Sequence, residues 1–374
     1  MIGSTIGIVR PAEDCTIVLQ CSFGRSLLVS LSPLFNAYPA LQKRIPLADI
    51  PGQQIPTSVT HSLDTPQLWL KHDDLTNAVY GGNKSRKLAF IFGKMQAGGK
   101  TRLLTFGGTG TNHGVACAVH SKALGIDCEI LLFDQPESES VRKNLQVMQR
   151  YGATLRYCGS LLNTVLRFYT LQIRDRLLRR KQTEYLFAGG SSLQGVIAFI
   201  DAAFELREQI ERGECPLPET IICPVGSSAT LAGLTLGVAL AGLPSRVIGV
   251  RVAPAHLGPF PACTVATVKQ LMQKTHNYLL RLQGGIPPFN ISQPVLLDQY
   301  YGAGYGVASV AGNQAEQWFS KQRWADGLTV QSECTYTAKA LAALRDELAT
   351  ANGPVLYWHT LNSVQGIYSE AEAV

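Results

Sequence analysis

From about residue 66 onward, short apolar runs alternate with stretches of helical periodicity, and glycine-rich segments mark the junctions. Leu68 to Lys71 reads as a strand, followed by the Gly81-Gly82 turn and a helix through Phe92. Leu103 to Phe106 is a second strand, with Gly107-Gly108-Thr109-Gly110 behind it and a small-residue helix over Val115 to Leu124. Cys128 to Phe133, a helix over Ser138 to Tyr151 and the strand Thr154 to Tyr157 continue the pattern. It resumes at Glu219 to Pro224, the helix Ala229 to Leu240 and Arg246 to Val252, and closes with a helix over Tyr336 to Leu348 and the strand Val355 to Trp358. Such alternation predicts an α/β fold of mainly parallel sheets flanked by helices. Ligands bind such sheets at the carboxyl ends of the strands, where these glycine-rich segments lie.

At 374 residues the chain exceeds one small core, so two lobes are expected. Hydrophobic residues make up 46% and charged residues only 16%, a balance that excludes a disordered or coiled chain. The nine cysteines are odd in number and form no C-x-x-C pair, which points to reduced core thiols rather than a disulfide framework or zinc site. No apolar run reaches the length of a membrane span, and the apolar patches of the first 40 residues, interrupted by Glu13 and Asp14, make a poor signal peptide. A cytoplasmic location is expected, with organelle targeting left open. The densest basic stretch, Arg174 to Lys181, interleaves with Leu177 and Leu178 and reads as one face of a helix. Without aromatic interleaving it does not predict nucleic-acid binding.

Four segments can carry chemistry. Lys84 follows Gly81-Gly82-Asn83 at a helix start, where a lysine can pair with Asp73 or Asp74, bind phosphate or act as a nucleophile. Lys87, one turn on, is expected to take the solvated role and leave Lys84 to a cleft. In the Gly107 to Gly114 loop, Thr111, Asn112 and His113 stand at a helix N-terminus, which suits anionic groups or plain capping. Its third glycine comes one position late for a dinucleotide fingerprint, which weighs against a Rossmann oxidoreductase. Gly226-Ser227-Ser228-Ala229-Thr230 joins a strand to a helix with small and hydroxyl residues, so successive N–H groups can cradle a phosphate. It lacks the Gly-Lys-Ser/Thr ending of a P-loop. Tyr336-Thr337 opens the next helix, a pattern common in capping, and His359 ends a strand as an expected buried, satisfied histidine. Neither His113 nor His359 has metal-ligand spacing, so no metal is expected.

In this order the segments resemble the fold-type II pyridoxal-phosphate (PLP) enzymes, and most closely the family of 1-aminocyclopropane-1-carboxylate deaminase and D-cysteine desulfhydrase. The carrying residues are Lys71 to Thr76, Gly81 to Leu88, Gly107 to His113, Gly189 to Ser192, Tyr301 to Gly306 and Tyr336 to Ala340. The resemblance covers about residues 45 to 362. It implies a two-domain, tryptophan synthase β-like fold, with a large PLP-binding domain over 41–86 and 200–374, a small domain over 87–199, and an extension of unknown role over 1–40. A homodimer acting on a small amino acid is the corresponding expectation.

The resemblance also implies roles. Lys84 would be the Schiff-base lysine and α-proton carrier, and Asn83 beside it would also bind the cofactor. Asn112 would meet the cofactor's phenolic oxygen, and Gly226, Ser227, Ser228, Ala229 and Thr230 its phosphate. Thr337 would face the pyridine nitrogen, where a hydroxyl in place of a carboxylate suits elimination from Cβ. Thr111, Tyr305 and Tyr336 would approach the substrate. The chain departs from the family pattern in carrying Thr111 for serine, Ser228-Ala229 for Gly-Gly, and Glu333-Cys334 for Asp-Pro. The implied activity is β-elimination from D-cysteine or a related amino acid to a 2-oxo acid and ammonia. Ring opening of 1-aminocyclopropane-1-carboxylate is the alternative, and a catalytically inactive PLP- or metabolite-binding homologue the third reading.

Overall fold

The computed structural model describes residues 18–20, 26–28, 32–257, 260–282, 285–288, 293–334 and 336–369. The chain falls into two units, Met1–Ser32 and Pro33–Val374. In the first, Val18–Gln20 pairs antiparallel with Ser26–Leu28, and most of the extension lies outside the described residues. The second unit begins at the helix Pro33–Ala37, whose Leu34 and Phe35 are buried against the helix Leu193–Glu211.

Two sheets organise the second unit. The larger runs Val295–Leu297, Arg246–Arg251, Thr220–Val225, Val355–His359, Leu68–His72, Val59–His61. All its neighbours are parallel except the last pair. Its central strands Thr220–Val225 and Val355–His359 are buried throughout, because helices cover both faces. Side-chain alternation divides them. Ile221, Cys223, Val225 and Trp358 face the helices Leu193–Glu211 and Ala229–Leu240, whereas Ile222 and Tyr357 face Val310–Phe319 and Thr337–Leu348. The smaller sheet, ordered Thr154–Tyr157, Asp127–Phe133, Arg102–Gly108, Thr183–Tyr185, is parallel throughout.

The strands expected from sequence are present with shifts of a residue or two at their ends. Leu193–Glu211 carries no sequence signal of its own: thirteen of its residues are buried around the helix, so no amphipathic stripe marks it. The basic stretch is helical only to Leu177, within Leu161–Leu177, and Arg179 then turns the chain with φ +53°.

A buried ionic cluster ties the larger sheet to its helices. Lys71 on its strand donates to Glu205 Oε1 (2.5 Å), Gln209 Oε1 (2.7 Å) and the Thr57 carbonyl (2.5 Å). Arg86 donates to Asp73 Oδ1 (2.9 Å) and Glu205 Oε2 (2.8 Å), and Trp358 Nε1 donates to Asp73 Oδ2 (2.7 Å). Two cations therefore meet two carboxylates with every charge out of water. The helix Asn83–Ala97, which carries Arg86, is held in place by this cluster.

Candidate active site

The lysine turn is built by contacts that only glycine permits. Asp73–Leu75 forms a short 3-10 turn after the strand Leu68–His72, and the chain then closes on itself at Gly81 and Gly82. A Cβ on Gly81 would lie 1.9 Å from the Asp74 carbonyl oxygen, and Gly82 has φ +90°. Gly81 N–H donates to Asn362 Oδ1 (2.7 Å), Gly82 N–H to the Asp73 carbonyl (2.8 Å) and Asn83 N–H to the Thr360 carbonyl (3.1 Å). Lys84, second residue of the helix Asn83–Ala97, is thereby fixed at the cleft wall, and its Nζ donates to Asn83 Oδ1 (2.7 Å). Burial lowers its pKa to about 8, although the negative charge of Glu333 opposes that shift.

Lys87 does not take the solvated role expected of it. It is buried, its Nζ donates to the Gly189 carbonyl (3.1 Å) and lies 5.6 Å from the Phe199 ring centroid, and burial holds its pKa well below the usual lysine value. The helix is enclosed on nearly every side, so a residue one turn on from Lys84 is still inside.

Thr111 caps the helix Asn112–Ala123, its Oγ1 accepting from Gly114 N–H (3.2 Å). A Cβ on Gly107 would come within 2.5 Å of that oxygen, so the preceding glycine makes room for the cap. Asn112 is oriented from behind. Asn144 Nδ2 donates to Asn112 Oδ1 (2.9 Å) and to the Gly110 carbonyl (2.9 Å), and Tyr368 Oη donates to Asn144 Oδ1 (3.1 Å). With its oxygen engaged, the Asn112 side chain keeps its NH2 as a donor at the cleft. His113 shares a hydrogen bond with Thr105 Oγ1 (3.0 Å), and burial, with Lys84 nearby, keeps it neutral.

Across the cleft, Gly226 follows the strand Thr220–Val225 and lies under Tyr336, where a Cβ would be 2.7 Å from Tyr336 Cε1. Ser227 Oγ donates to the Gly189 carbonyl (3.0 Å) and Ser228 Oγ to the Ala262 carbonyl (2.9 Å). Ser228 has φ +49°, a left-handed conformation in which glycine is unstrained. Ala229 opens the helix Ala229–Leu240, and Thr230 Oγ1 accepts from Asn83 Nδ2 (3.3 Å), so one amide joins the lysine turn to this loop.

Tyr305 and Tyr336 share a hydrogen bond between their hydroxyls (2.7 Å), with rings nearly perpendicular at 87°. Burial raises Tyr305 to about 12 and Tyr336 well above the usual phenol value, so both stay protonated. Thr337 is not brought to the cleft. Its Oγ1 accepts from Glu333 N–H (2.6 Å) and donates to the Glu333 carbonyl (2.9 Å), because the first turn of Thr337–Leu348 leaves main-chain groups a hydroxyl can satisfy. Glu333 Oε1 in turn accepts from Tyr336 N–H (2.7 Å) and Thr337 N–H (3.1 Å). Thr335, between them, lies outside the described residues. His359 is buried beside Phe319 and Tyr357 and does not line the cleft.

Lys84, Thr111, Asn112, Gly226, Ser227, Ser228, Thr230, Tyr305 and Tyr336 thus line one cavity of about 370 Å³, with Asn83 beside Lys84. Its small-sheet wall carries Phe106, Phe133, Leu161 and Phe187 beside the polar Asp134, Gln135 and Ser160. Asn362, Asn144 and Tyr368 also shape the site, and sequence reading did not single them out: each acts from far along the chain through side-chain hydrogen bonds. An amine of lowered pKa, an amide donor and a helix N-terminus behind a glycine form a donor set that suits a phosphorylated aromatic aldehyde.

The comparisons with known proteins agree. The family profile described as pyridoxal-phosphate dependent enzyme matches residues 46–360. Nocardicin C-9' epimerase of Nocardia uniformis is 31% identical over 321 residues, spanning 85% of this chain and 92% of that protein. D-cysteine desulfhydrase of Salmonella schwarzengrund is 26% identical over 308 residues, 79% of this chain and 86% of that one. A putative 1-aminocyclopropane-1-carboxylate deaminase of Thermotoga maritima is 25% identical over 305 residues, 81% of this chain and 91% of that one. Among solved structures, a 1-aminocyclopropane-1-carboxylate (ACC) deaminase homologue superposes with a TM-score of 0.71 at 25% identity, covering 88% of this chain and 96% of its own. The chain belongs to the family of pyridoxal-phosphate dependent enzymes.

Proposed function

We propose that the chain is a lyase that eliminates a β-substituent from a small amino acid, with D-cysteine as the first substrate to try. The observation that carries this reading is the pairing of chemistries in one cleft: an amine of pKa about 8 and two phenols held protonated. Elimination needs both, a base for the α-proton and an acid for the departing sulfur. Bound PLP supplies the electron sink that makes the α-proton acidic. Lys84 Nζ removes that proton, and the electron pair left on Cα forms the Cα–Cβ double bond as the Cβ–S bond breaks. The sulfur takes a proton from the Tyr305–Tyr336 pair and leaves as hydrogen sulfide. The unsaturated amine then hydrolyses in water to the 2-oxo acid and ammonia.

The NH2 of Asn112 would meet the cofactor's phenolic oxygen, and the Gly226 to Thr230 loop would hold its phosphate. Thr111 has its oxygen occupied by Gly114 N–H. Its hydroxyl proton is left to donate, best to the substrate carboxylate. With Thr337 turned to Glu333, the case for elimination rests on the phenol pair.

Borohydride reduction of purified protein should bleach a visible band and fix the cofactor on the peptide containing Lys84. Lys84→Ala should lose the band and Lys87→Ala should keep it. A protein that cannot be given such a band sinks the proposal. D- and L-cysteine, D- and L-serine and 1-aminocyclopropane-1-carboxylate are then assayed for oxo acid. A second reading, epimerisation, is favoured by the 31% identical epimerase. It would appear as deuterium uptake at Cα in heavy water without oxo acid. A band with neither outcome would point to the inactive homologue.

A further inference from the structure

The helix Leu161–Leu177 presents two opposed faces. Thr164, Val165, Phe168 and Asp175 are buried against the smaller sheet. On the other side Leu162, Leu166, Ile173 and Leu177 are 54%, 55%, 57% and 78% exposed. At 3.6 residues per turn these four fall within an arc of roughly 60°. They form a crest four turns long that no described segment of the chain covers. Its charge is as distinctive. Residues 161–181 hold Arg167, Arg174, Arg176, Arg179, Arg180 and Lys181 against the single carboxylate of Asp175, a net +5, whereas the whole chain is +6. All six cations are exposed, while Asp175 is buried and accepts from Tyr185 Oη (2.7 Å) and Arg174 (3.0 Å). Nearly all the net charge of the protein therefore borders this crest.

We propose that this helix is a docking surface for an anionic lipid leaflet, on which it lies in the plane of the headgroups. The charge selects among occupants. A second copy meeting the crest about a two-fold axis would bring +5 against +5. A nucleic acid would satisfy the arginines and leave the leucines in water. An acidic protein helix needs a groove, whereas here the apolar side chains stand on the outward ridge. A leaflet accepts a ridge: aliphatic side chains enter the acyl boundary while flanking arginines reach the headgroups. Such a helix lies on a membrane without crossing it, and none of the described helices is long and apolar enough to span one.

The test is co-sedimentation of the full-length holoenzyme with vesicles of phosphatidylcholine alone and with vesicles in which about a third of the lipid is phosphatidylglycerol. Binding is expected only to the second, and raising the salt to about 0.5 M should release most of it. Each cation near an anionic leaflet strengthens partitioning roughly fivefold, so Arg167→Gln/Arg176→Gln/Arg180→Gln should weaken it roughly a hundredfold. Leu166→Gln/Ile173→Gln should weaken it roughly tenfold or more with the cations intact, and turnover in solution should be unchanged. Equal binding to both vesicles, or none, overturns the proposal. So does binding to soluble polyglutamate as tight as to the anionic vesicles, which would assign the surface to an acidic polymer. Conversion of a larger assembly to monomers by the leucine–isoleucine double variant would assign it to self-association, and would equally overturn it.

Discussion

The ionic cluster of Lys71, Asp73, Arg86 and Glu205 makes a sharp prediction, because its charges balance only as a set. Glu205→Gln leaves Lys71 and Arg86 facing Asp73 alone, one cation in excess. Lys71→Met leaves Arg86 facing two carboxylates. Each single change strands a charge that is fully removed from water, so each should destabilise by about 3–5 kcal/mol. The double variant Lys71→Met/Glu205→Gln restores balance through Arg86 and Asp73, which remain 2.9 Å apart. It should cost no more than either single change, giving an interaction of about 3 kcal/mol in the cycle. The assay is equilibrium urea unfolding of the holoenzyme, followed by far-UV circular dichroism and tryptophan fluorescence. Single-variant costs that add to within about 0.5 kcal/mol in the double would refute the reasoning. Acid gives an independent reading. Burial would raise the Glu205 pKa, but Arg86 and Lys71 outweigh it and hold the carboxyl at about 2. A carboxylate depressed on folding stabilises the fold above its usual pKa near 4.5 and loses that contribution as pH falls through about 2. Wild-type stability should therefore drop by about 3 kcal/mol across that window from this group alone, and the Glu205→Gln slope should be correspondingly shallower.

Capture of PLP by the apoprotein requires neutral Lys84, so its rate should rise about tenfold per pH unit up to about 8 and level off above, as stopped-flow absorbance would show. A rate still climbing steeply at pH 9.5 would mean that burial does not lower this pKa. Ser228→Gly should leave stability within about 1 kcal/mol of wild type, since relief of left-handed strain offsets the lost bond to the Ala262 carbonyl. Ser228→Ala, which keeps the strain and loses the bond, should be worse by about 1 kcal/mol in the same urea assay. Tyr368→Phe removes the hydrogen bond to Asn144 and should shift the absorption of the bound cofactor with a stability change of about 1 kcal/mol or less. An unchanged spectrum would show that Asn112 is held without it.

The parts of this protein that could be read from its sequence are those whose cause is local. Gly81 and Gly82 announce a turn because no other residue fits beside the Asp74 carbonyl, and the lysine they present is identifiable from four consecutive residues. The strands follow from apolar runs set between glycines. Where the cause is distant, the reading fails. Helical spacing puts Lys87 in solvent, but its surroundings come from Gly189 and Phe199, a hundred residues away in the chain. Thr337 is a separate case: the family resemblance implies that it faces the cofactor, yet its hydroxyl is taken up by main-chain groups only four residues earlier. Ser228 gives no hint in sequence of its left-handed backbone, and Asn362 reaches the lysine turn from 281 positions on.

Gly189 O accepts from Lys87, on the helix behind the lysine turn, and from Ser227, on the loop across the cleft. Gly189 lies where the chain leaves the smaller sheet for the helix Leu193–Glu211, with φ +71°. This single oxygen is a rivet through three pieces of the molecule. A rotation of the smaller sheet that narrows or widens the cleft must either turn about that point or pull out both donors together. The helix behind the lysine turn and the loop across the cleft thus share one acceptor.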